Sequence, residues 1–366
     1  FIFLLNVPIG IIALLLGTDM LKELPYNKDL KFDFLGFFLI TTACVLILLA
    51  LNQGESKGWT SYYIVTLFFW AFSLAFLFVL WELDCPHPMI NIRLFTNAPY
   101  VISLLALSSA VTGLFSAVYL VPFYCQNLRG LSATDTGLIL MPAALVAAIL
   151  MPVAGPLFDR VGAAPLGIAG LALVAATTYW LHHLTPDTSV GWIKGFLAFR
   201  SIGLGLCMMP LTAAGMNAVA PAYTSQASAM QNTIRMIAAS LSIAYITHVL
   251  TTRQAFHQVR LAEGVSQALP AAENFRLLAQ GLGAGAGDPA AGQALAAGLL
   301  GQAISKQAFM TAIGDTFIIS ALLVTAAIPF AAYLTKERVA AWRTKEIQRY
   351  GAAPQISGPP AGQITH

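Results

Sequence analysis

Long runs of apolar residues, broken by short polar stretches, recur along the whole chain. A helix needs roughly 20 mostly apolar residues to cross a bilayer core about 30 Å thick, and the runs have about this length. Because the runs are continuous and do not alternate between apolar and polar positions, they predict transmembrane helices and argue against a membrane β-barrel. The nine predicted spans are 1–17, 33–51, 61–81, 99–124, 134–156, 164–184, 191–217, 226–250 and 309–334.

The composition agrees with this pattern. Hydrophobic residues make up 58% of the 366 residues and charged residues only 10%, whereas soluble domains hold roughly 45–50% apolar and about 25% charged residues. The four cysteines lie far apart and have no spacing typical of a disulfide scaffold. The predicted class is therefore an all-α integral membrane protein.

The basic residues predict which side of the membrane each loop faces. When the loops are assigned alternately to two sides, the short loops of one side hold little beyond Lys57 and Arg129. The other side holds Lys22, Lys28, Lys31, Arg93, Arg160, Lys336, Arg338, Arg343, Lys345 and Arg349. Since positive residues favour the cytoplasmic side, this second side and the C-terminus are predicted to be cytoplasmic. The basic tail is then a topology signal, and nucleic acid is not an expected partner.

One connection, 251–306, is much longer than the others and is predicted to lie on the outer side. Its first part, QAFHQVRLAEGV, places Phe256, Val259 and Leu261 among charged residues, which is typical of an amphipathic helix. Its second part, GLGAGAGDPAAGQALAAGLLG, is rich in Ala and Gly, and we expect it to be flexible.

The first apolar run, FIFLLNVPIGIIALLLG, has no basic segment before it and no small-residue cleavage site after it. A secretory signal needs both features. The run is therefore interpreted as a transmembrane helix cut at its upstream end, and the chain is expected to be a fragment of a longer protein.

Among the ionisable residues inside predicted spans, Arg200, Arg235 and Asp315 stand out. A charge at bilayer depth costs at least about 2.5–3.5 kcal/mol, so such residues usually face a cavity or a partner. Each arginine belongs to a helical face of small or polar residues, and the fourth span carries a third such face. The faces are Arg200, Gly203, Cys207, Pro210, Ala214, Asn217; Ser228, Asn232, Arg235, Ala239, Ser242, Tyr245; and Ser108, Thr112, Ser116, Tyr119, Phe123, Gln126.

Two interpretations of these faces remain open. Small residues let helices pack closely, with hydroxyl and amide groups bonding across the contact. Alternatively the faces border an aqueous or substrate-filled cavity, in which case Arg200, Asn232 and Arg235 are cavity or gate residues. Asp315 could bind a proton, pair with an arginine or lie at the membrane interface.

The sequence GPLFDRVG, with Gly155, Asp159, Arg160 and Gly162, lies in the predicted cytoplasmic connection after the fifth span. Its glycines permit close approach and a tight turn. Asp159 and Arg160, beside the start of the next helix, could bridge neighbouring helices in one conformation and release them in another. The alternative is an ordinary charged loop.

No other site chemistry is indicated. The histidines are dispersed or adjacent at a span end, so no metal site is predicted. The pattern G-x-x-x-x-G-K-[ST] is absent from the sequence, so ATP is not an expected energy source. No nucleophile and base can be singled out, and the chain is not predicted to be an enzyme.

Several stretches, in their order along the chain, resemble the fourteen-span drug:proton antiporters of the major facilitator superfamily, the EmrB/QacA type. They are FIFLLNVPIGI, DFLGFFLITTACVLILLALNQGESKGW, WEL with NIRLF, YLVPFYCQNLRGLSATDTGLILMPAAL, and GLGLCMMPLTAAGMNAVAP with SAMQNTIRMIAASLSIAYI. GPLFDRVG resembles the superfamily's loop motif G-x-x-x-D-R-x-G in its second-half copy, and H-x-x-R-L at 257–261 also matches. The resemblance covers nearly the whole chain.

This resemblance implies a partial major facilitator superfamily fold. Residues 1–17 would be the last helix of the N-terminal half, and 18–98 a cytoplasmic loop with two linker helices. Residues 99–334 would form the complete six-helix C-terminal half with its periplasmic loop at 251–306, and 335–366 a cytoplasmic tail. The family's first five helices, and most of its proton-binding acids, would precede this chain.

The resemblance also implies proton-driven efflux of lipophilic, often cationic drugs across a bacterial inner membrane, by two halves that rock around a midplane site. The energy source would be the proton gradient, without a cofactor. The candidate cavity and gate residues are Tyr119, Phe123, Gln126, Arg200, Met208, Asn232 and Arg235, with Asp315 as the candidate proton-coupling acid.

Expected partners are small molecules, protons and membrane lipids, and the long outer loop suggests a periplasmic adaptor with an outer-membrane channel. Two alternatives remain: a different cargo, such as a siderophore or metabolite, and a truncated membrane scaffold that transports nothing.

Overall fold

The computed structural model describes residues 6–20, 33–85, 92–267, 269–286 and 289–350, and these residues form helices and short connections without a strand. The helices are α1 (Asn6–Met20), α2 (Phe34–Lys57), α3 (Tyr62–Asp84), α4 (Ala98–Phe123), α5 (Ala133–Val161), α6 (Ala163–Trp180), α7 (Val190–Asn217), α8 (Thr224–Gln267), α9 (Leu269–Ala286), α10 (Pro289–Thr325), α11 (Ile328–Tyr333) and α12 (Lys336–Tyr350). Eight helical segments of this part of the chain are long and apolar enough to cross a membrane. The prediction of an all-α, multi-span membrane protein is confirmed. The predicted first span, 1–17, lies partly outside the described residues.

Side-chain caps define the starts of several spanning helices. The Asp33 carboxylate accepts a hydrogen bond from the backbone N–H of Gly36 at 2.9 Å, where α2 begins. Asn97 caps α4 in the same way at 3.2 Å, and Ser132 caps α5 at 3.1 Å. Such caps satisfy N–H groups that have no partner in the first helical turn. The short polar stretches between the apolar runs therefore contain the signals that begin the helices.

The helix predicted for the first part of the connection 251–306 is confirmed, but the second part is also helical and is not the loop that the sequence predicted. α8 continues through its first part to Gln267, α9 follows, and α10 begins at Pro289. The expectation of a flexible second part is wrong for the residues that the structure describes. Ala and Leu are strong helix formers and outweigh the glycines. In addition, α9 packs along α10, where the small residues Ala279 and Ala296 are buried.

The packed centre of the molecule is formed by α4, α6, α7, α8 and α10. Close contact between α6 and α7 depends on Gly170 and Gly203, because a Cβ atom on Gly170 would lie 2.7 Å from the carbonyl oxygen of Gly203. The face of α7 that carries Arg200 is buried at Gly203, Cys207 and Pro210. For these small residues the packing interpretation is confirmed.

The last predicted span, 309–334, is divided in the structure. α10 ends at Thr325 and α11 begins at Ile328, because Pro329 has no N–H to donate to the carbonyl of Thr325. After α11 the chain enters α12, which packs against α7 and α4.

The helices α2 and α3 pack on each other, and α2 also contacts α8. Their outer faces expose large apolar side chains, including Phe34, Phe38, Phe72 and Phe76, as expected of surfaces that meet lipid tails. The two ends of the bundle are named here by the helices they carry. The α9 end carries α9 and the C-terminal part of α8, and the α12 end carries α12.

Candidate functional site

Hydroxyl groups on α4 and α8 meet at two points. Thr112 Oγ1 and Ser242 Oγ lie 2.8 Å apart, and Thr247 Oγ1 donates to the hydroxyl of Tyr119 at 3.0 Å. Two of the polar faces identified in the sequence are thus brought together. Hydrogen bonds of this kind between membrane helices contribute on the order of 1 kcal/mol each, so they align α4 with α8. These four residues are called the hydroxyl seam.

A cleft of about 400 Å³ lies on one side of the hydroxyl seam, between α4, α8 and the α10–α11 segment. The lining of this α10 cleft includes Ser108, Thr112, Ser242, Tyr245, Leu241 and Phe330. The Tyr245 hydroxyl is buried and has no hydrogen-bond partner within the described residues. An unmatched buried polar group costs roughly 1–3 kcal/mol, and this one belongs to a residue that lines the cleft.

A second cleft, of about 490 Å³, lies on the other side of the seam, between α2, α4 and α8. Its lining includes Leu51 and Ile243 as apolar residues and Glu55, Tyr119 and Thr247 as polar ones. The ring of Phe123 lies beside that of Tyr119, with centroids 4.8 Å apart. This α2 cleft therefore joins an aromatic and aliphatic wall to a carboxylate.

Glu55 is held at the α9 end by three side chains. Trp59 Nε1 donates to Glu55 Oε2 at 3.0 Å, and Thr251 Oγ1 donates to Glu55 Oε1 at 2.5 Å. His248 Nδ1 lies 3.1 Å from Glu55 Oε2. Sequence reasoning missed Glu55 because the second span was predicted to end at residue 51, whereas α2 continues to Lys57.

Arg200 lies inside the packing of α4, α6 and α7 and is only 3% exposed. Its Nε donates to Thr178 Oγ1 at 3.3 Å, and its Nη2 donates to the carbonyl oxygen of Gly113. No carboxylate forms an ion pair with Arg200 within the described part of the chain. Its guanidinium therefore joins three helices at this point.

The other candidate cavity and gate residues have different surroundings. Arg235 Nη2 donates to Asn232 Oδ1 at 2.8 Å, and both residues are exposed on α8. Met208 is partly buried against the apolar core. Gln126 is exposed in the π-helical turn that follows α4. These residues do not form one cluster with Arg200.

Asp315 connects α10 to the C-terminal part of α8. His257 Nε2 lies 2.8 Å from Asp315 Oδ2, and Arg253 Nε lies 3.7 Å from the same oxygen. The carboxylate is partly exposed, with 27% of its side-chain surface accessible. Of the alternatives left open for Asp315, the structure contains the pairing with an arginine and adds a histidine.

The GPLFDRVG sequence is not a loop, as the sequence predicted, but the last turns of α5. The helix continues to Val161, and the turn into α6 consists of Gly162 alone, with a φ of 98°. The side chains of Asp159 and Arg160 are exposed, and their backbone carbonyls instead accept hydrogen bonds from Lys336 Nζ at 2.6 and 2.9 Å. Gly155 packs near Met209 on α7. The contact across this turn therefore comes from α12.

Metal-ligating residues do not cluster in the part of the chain that the structure describes. No group of three or more His, Cys, Asp or Glu side chains lies there in an arrangement able to hold a metal ion.

Comparison with known proteins identifies relatives of this chain. Residues 1–243 match the family model of the Major Facilitator Superfamily. The uncharacterized MFS-type transporter YhcA of Bacillus subtilis is 33% identical over 264 residues, which cover 72% of this chain and 50% of YhcA. The multidrug export protein EmrB of Escherichia coli is 25% identical over 323 residues, 87% of this chain and 62% of EmrB. The lincomycin resistance protein LmrB of Listeria monocytogenes is 26% identical over 265 residues, 72% of this chain and 56% of LmrB.

The matches cover only part of each relative. This chain spans between 50% and 62% of the length of these three proteins.

Proposed function

Because the chain belongs to the major facilitator superfamily, we propose that it forms the C-terminal portion of a secondary active exporter that expels lipophilic compounds in exchange for protons. The observation that carries this proposal is the pair of clefts flanking the hydroxyl seam. Each combines an apolar wall with a few hydroxyl groups, as sites for small lipophilic molecules do. The names of two relatives, a multidrug export protein and a lincomycin resistance protein, favour toxic compounds as cargo.

In the proposed transporter two halves alternate around a midplane site, and α4 with α8 forms one wall of it. The exposed pair Asn232 and Arg235 supports this role for α8. An arginine at bilayer depth costs at least about 2.5–3.5 kcal/mol if it faces lipid. A second half of the transporter, or the cavity between the halves, removes that cost.

Asp315 is proposed to take part in proton coupling. Its contact with His257 joins two groups that both exchange protons, and Arg253 keeps a positive charge beside them. Loss of the Asp315 charge by protonation weakens the attachment of α8 to α10, so a proton changes the contact between two helices. The proton gradient is the proposed energy source, and no cofactor takes part.

The proposed location is the bacterial inner membrane, with α12 in the cytoplasm and the α9 end in the periplasm. Five cations on α12 support this orientation: Lys336, Arg338, Arg343, Lys345 and Arg349. The α9 end would then be the surface for a periplasmic adaptor that leads to an outer-membrane channel, while the apolar outer faces of α2 and α3 contact lipid.

Dye efflux from cells tests the proposal. The full reading frame that contains this chain is expressed in cells that lack their own drug pumps, and the loss of preloaded ethidium is followed by fluorescence. We expect faster loss than in vector controls, and a protonophore should abolish the difference. If ethidium and a panel of antibiotics leave at the control rate while the protein is abundant in the membrane, drug export is contradicted. Efflux of a siderophore instead would identify another cargo.

A further inference from the structure

The α2 cleft contains the carboxylate of Glu55, which is not part of the hydroxyl seam. We propose that this cleft binds an organic cation with an apolar body, and that Glu55 of the linker helix α2 supplies the counter-charge. The role of such binding in export rests on the proposed function, whereas the binding itself does not. Neither the family match nor the named relatives assign a site to this helix.

The contacts of Glu55 orient its carboxylate without cancelling its charge. Trp59 and Thr251 are neutral donors, at 3.0 and 2.5 Å. Within the described residues the only ionic partner of Glu55 is His248, which is charged only when it is protonated. The Glu55 side chain also remains 29% exposed. A carboxylate that is fixed, accessible and without a permanent counter-charge attracts a cation.

The other walls of the cleft determine which kind of cation fits. Tyr119 presents an aromatic ring, and aromatic faces attract organic cations. Leu51, Ile243 and Ala244 supply apolar surface. A hard metal ion such as Ca²⁺ prefers six or more oxygen ligands. The described residues contain no cluster of metal-binding side chains here. An ammonium or similar group on an apolar scaffold therefore matches the lining better than an inorganic ion.

The size of the cleft agrees with a molecule of this class. Its volume of about 490 Å³ falls within the roughly 300–1,000 Å³ typical of small-molecule sites. The cleft lies between three helices that are each long and apolar enough to cross a membrane. An occupant must therefore tolerate an apolar surrounding, which favours a lipophilic cation over a hydrophilic one.

The competing explanation is that Glu55 only ties α2 to α8. The substitution Glu55→Gln separates the two, because glutamine keeps the size and one acceptor oxygen but removes the charge. The protein encoded by the full reading frame is purified in detergent, and equilibrium binding of rhodamine 6G, a lipophilic cation, is measured by fluorescence polarisation. Nile red, a neutral lipophilic dye, is measured in parallel.

We expect Glu55→Gln to weaken rhodamine 6G binding about tenfold, as loss of one partly buried charge contact would, and to leave Nile red binding within about twofold. The matched control is Glu273→Gln, which removes an exposed acid from α9. It should change neither affinity. If Glu55→Gln weakens both dyes equally, or neither, the counter-charge role is overturned.

A second variant, at another residue of the same cleft, tests the location of the site independently of Glu55. Ser240 lines the same cleft, and Ser240→Phe should reduce the binding of both dyes by filling the space. Unchanged binding of both dyes, with an unchanged unfolding temperature, would overturn the location of the site. Rhodamine 6G binding that depends on Glu55 in a protein that exports nothing from cells supports this inference and contradicts the proposed function. If the protein exports the dyes but Glu55→Gln does not change their binding, the proposed function is supported and this inference is contradicted.

Discussion

Arg200 carries a positive charge into a place where three helices meet. Its guanidinium satisfies the carbonyl of Gly113 on α4 and the hydroxyl of Thr178 on α6. A membrane protein retains such a residue at a cost, and the contacts identify what it does there: it holds α4, α6 and α7 at a fixed separation. The exposed Arg235 contacts only Asn232 on its own helix among the hydrogen bonds described.

The two arginines should therefore respond differently to truncation. Arg200→Ala leaves a cavity and removes the hydrogen bonds from Arg200 to the Gly113 carbonyl on α4 and to Thr178 on α6. Each lost hydrogen bond costs about 0.5–1.5 kcal/mol, and the cavity adds to the loss. We expect a lower unfolding temperature and lower membrane abundance, whereas the control Arg235→Ala should change neither. Fluorescence-detected size-exclusion chromatography of heated samples measures both quantities. Full abundance and stability of Arg200→Ala with impaired efflux would instead favour a direct role in the transport pathway.

Gly162 is the residue whose backbone the α5–α6 turn requires. Its φ of 98° and ψ of 175° belong to a region that is essentially restricted to glycine. A Cβ atom there would also lie 2.9 Å from carbons of the Lys336 side chain.

Gly162→Ala should destabilise the protein by about 1–3 kcal/mol, because the backbone conformation is strained for any other residue. Gly137→Ala is the matched control, since Gly137 lies within α5 with nothing within 4 Å of the added carbon. It should be neutral or stabilise by roughly 0.5–1 kcal/mol. The unfolding temperature of each purified variant measures the difference. Equal effects of the two substitutions would contradict the requirement for glycine at the turn.

At the scale of helices, the sequence predicted which helices exist better than where each helix ends. Continuous apolar runs predicted α2 to α8 because each run alone is long enough to span a bilayer. The helical form of the second part of 251–306 was missed because its glycine content argues for flexibility, while packing of α9 on α10 is invisible in a local pattern. For the same reason the meeting of Thr112 with Ser242, which lie 130 residues apart, could not be predicted. Glu55 was missed because the predicted second span ends at residue 51, six residues before the end of α2 at Lys57.

The attachment of α8 to α10 through Asp315 is a testable element-scale contact. Asp315→Asn removes the charge that holds His257 and Arg253. Partly exposed ion pairs contribute about 0.2–1 kcal/mol, so amide exchange in residues 251–267 should accelerate up to about fivefold. Hydrogen–deuterium exchange with mass spectrometry measures this change.

The control for this experiment is Asp187→Asn, in the exposed turn before α7. The same two variants test whether Asp315 takes part in proton coupling. Asp315→Asn should shift the pH dependence of efflux, and Asp187→Asn should not. An unchanged profile for Asp315→Asn would remove this acid from proton coupling, even if exchange in α8 increased.

The packing of α12 buries an acid, Glu346, whose charge opposes that packing. Burial raises the pKa of the Glu346 carboxyl, and Arg349 offsets part of the rise. An acid whose pKa is higher in the folded protein binds its proton more tightly when folded. Its contribution to stability is therefore fully present below the unfolded-state pKa of 4.5 and is lost as the pH rises through the higher folded-state pKa.

Glu346→Gln should therefore protect α12 at pH 7.5 relative to the wild type, with no protection at pH 4. Amide exchange of α12, corrected for the intrinsic effect of pH, measures the difference. Glu337→Gln, at an exposed position of the same helix, serves as the control and should have no such pH dependence. Protection by Glu346→Gln that is equal at both pH values would show that burial of the charge is not the cause.

At the scale of the whole molecule, composition alone predicted the membrane class, and the order of several motifs predicted the superfamily. The site was predicted only in part. The polar faces of α4 and α8 were identified because residues three and four apart share one side of a helix. The two clefts were not identified, since each requires a third helix whose position no local pattern contains.

The orientation of the molecule is the last prediction. The cations of α12 and the few charges of the α6–α7 turn predict that α12 lies in the cytoplasm, by the rule that positive loops stay inside. In a background in which Cys44, Cys85, Cys125 and Cys207 are replaced by alanine, single cysteines are introduced as Asp187→Cys at the α9 end and Arg338→Cys on α12. A membrane-impermeant maleimide should label Asp187→Cys in intact cells and Arg338→Cys only after permeabilisation. Labelling in the opposite order would show that the orientation is the reverse of the predicted one. The α2 cleft would then open toward the cytoplasm, where it could load a cation before export rather than hold one at the exit.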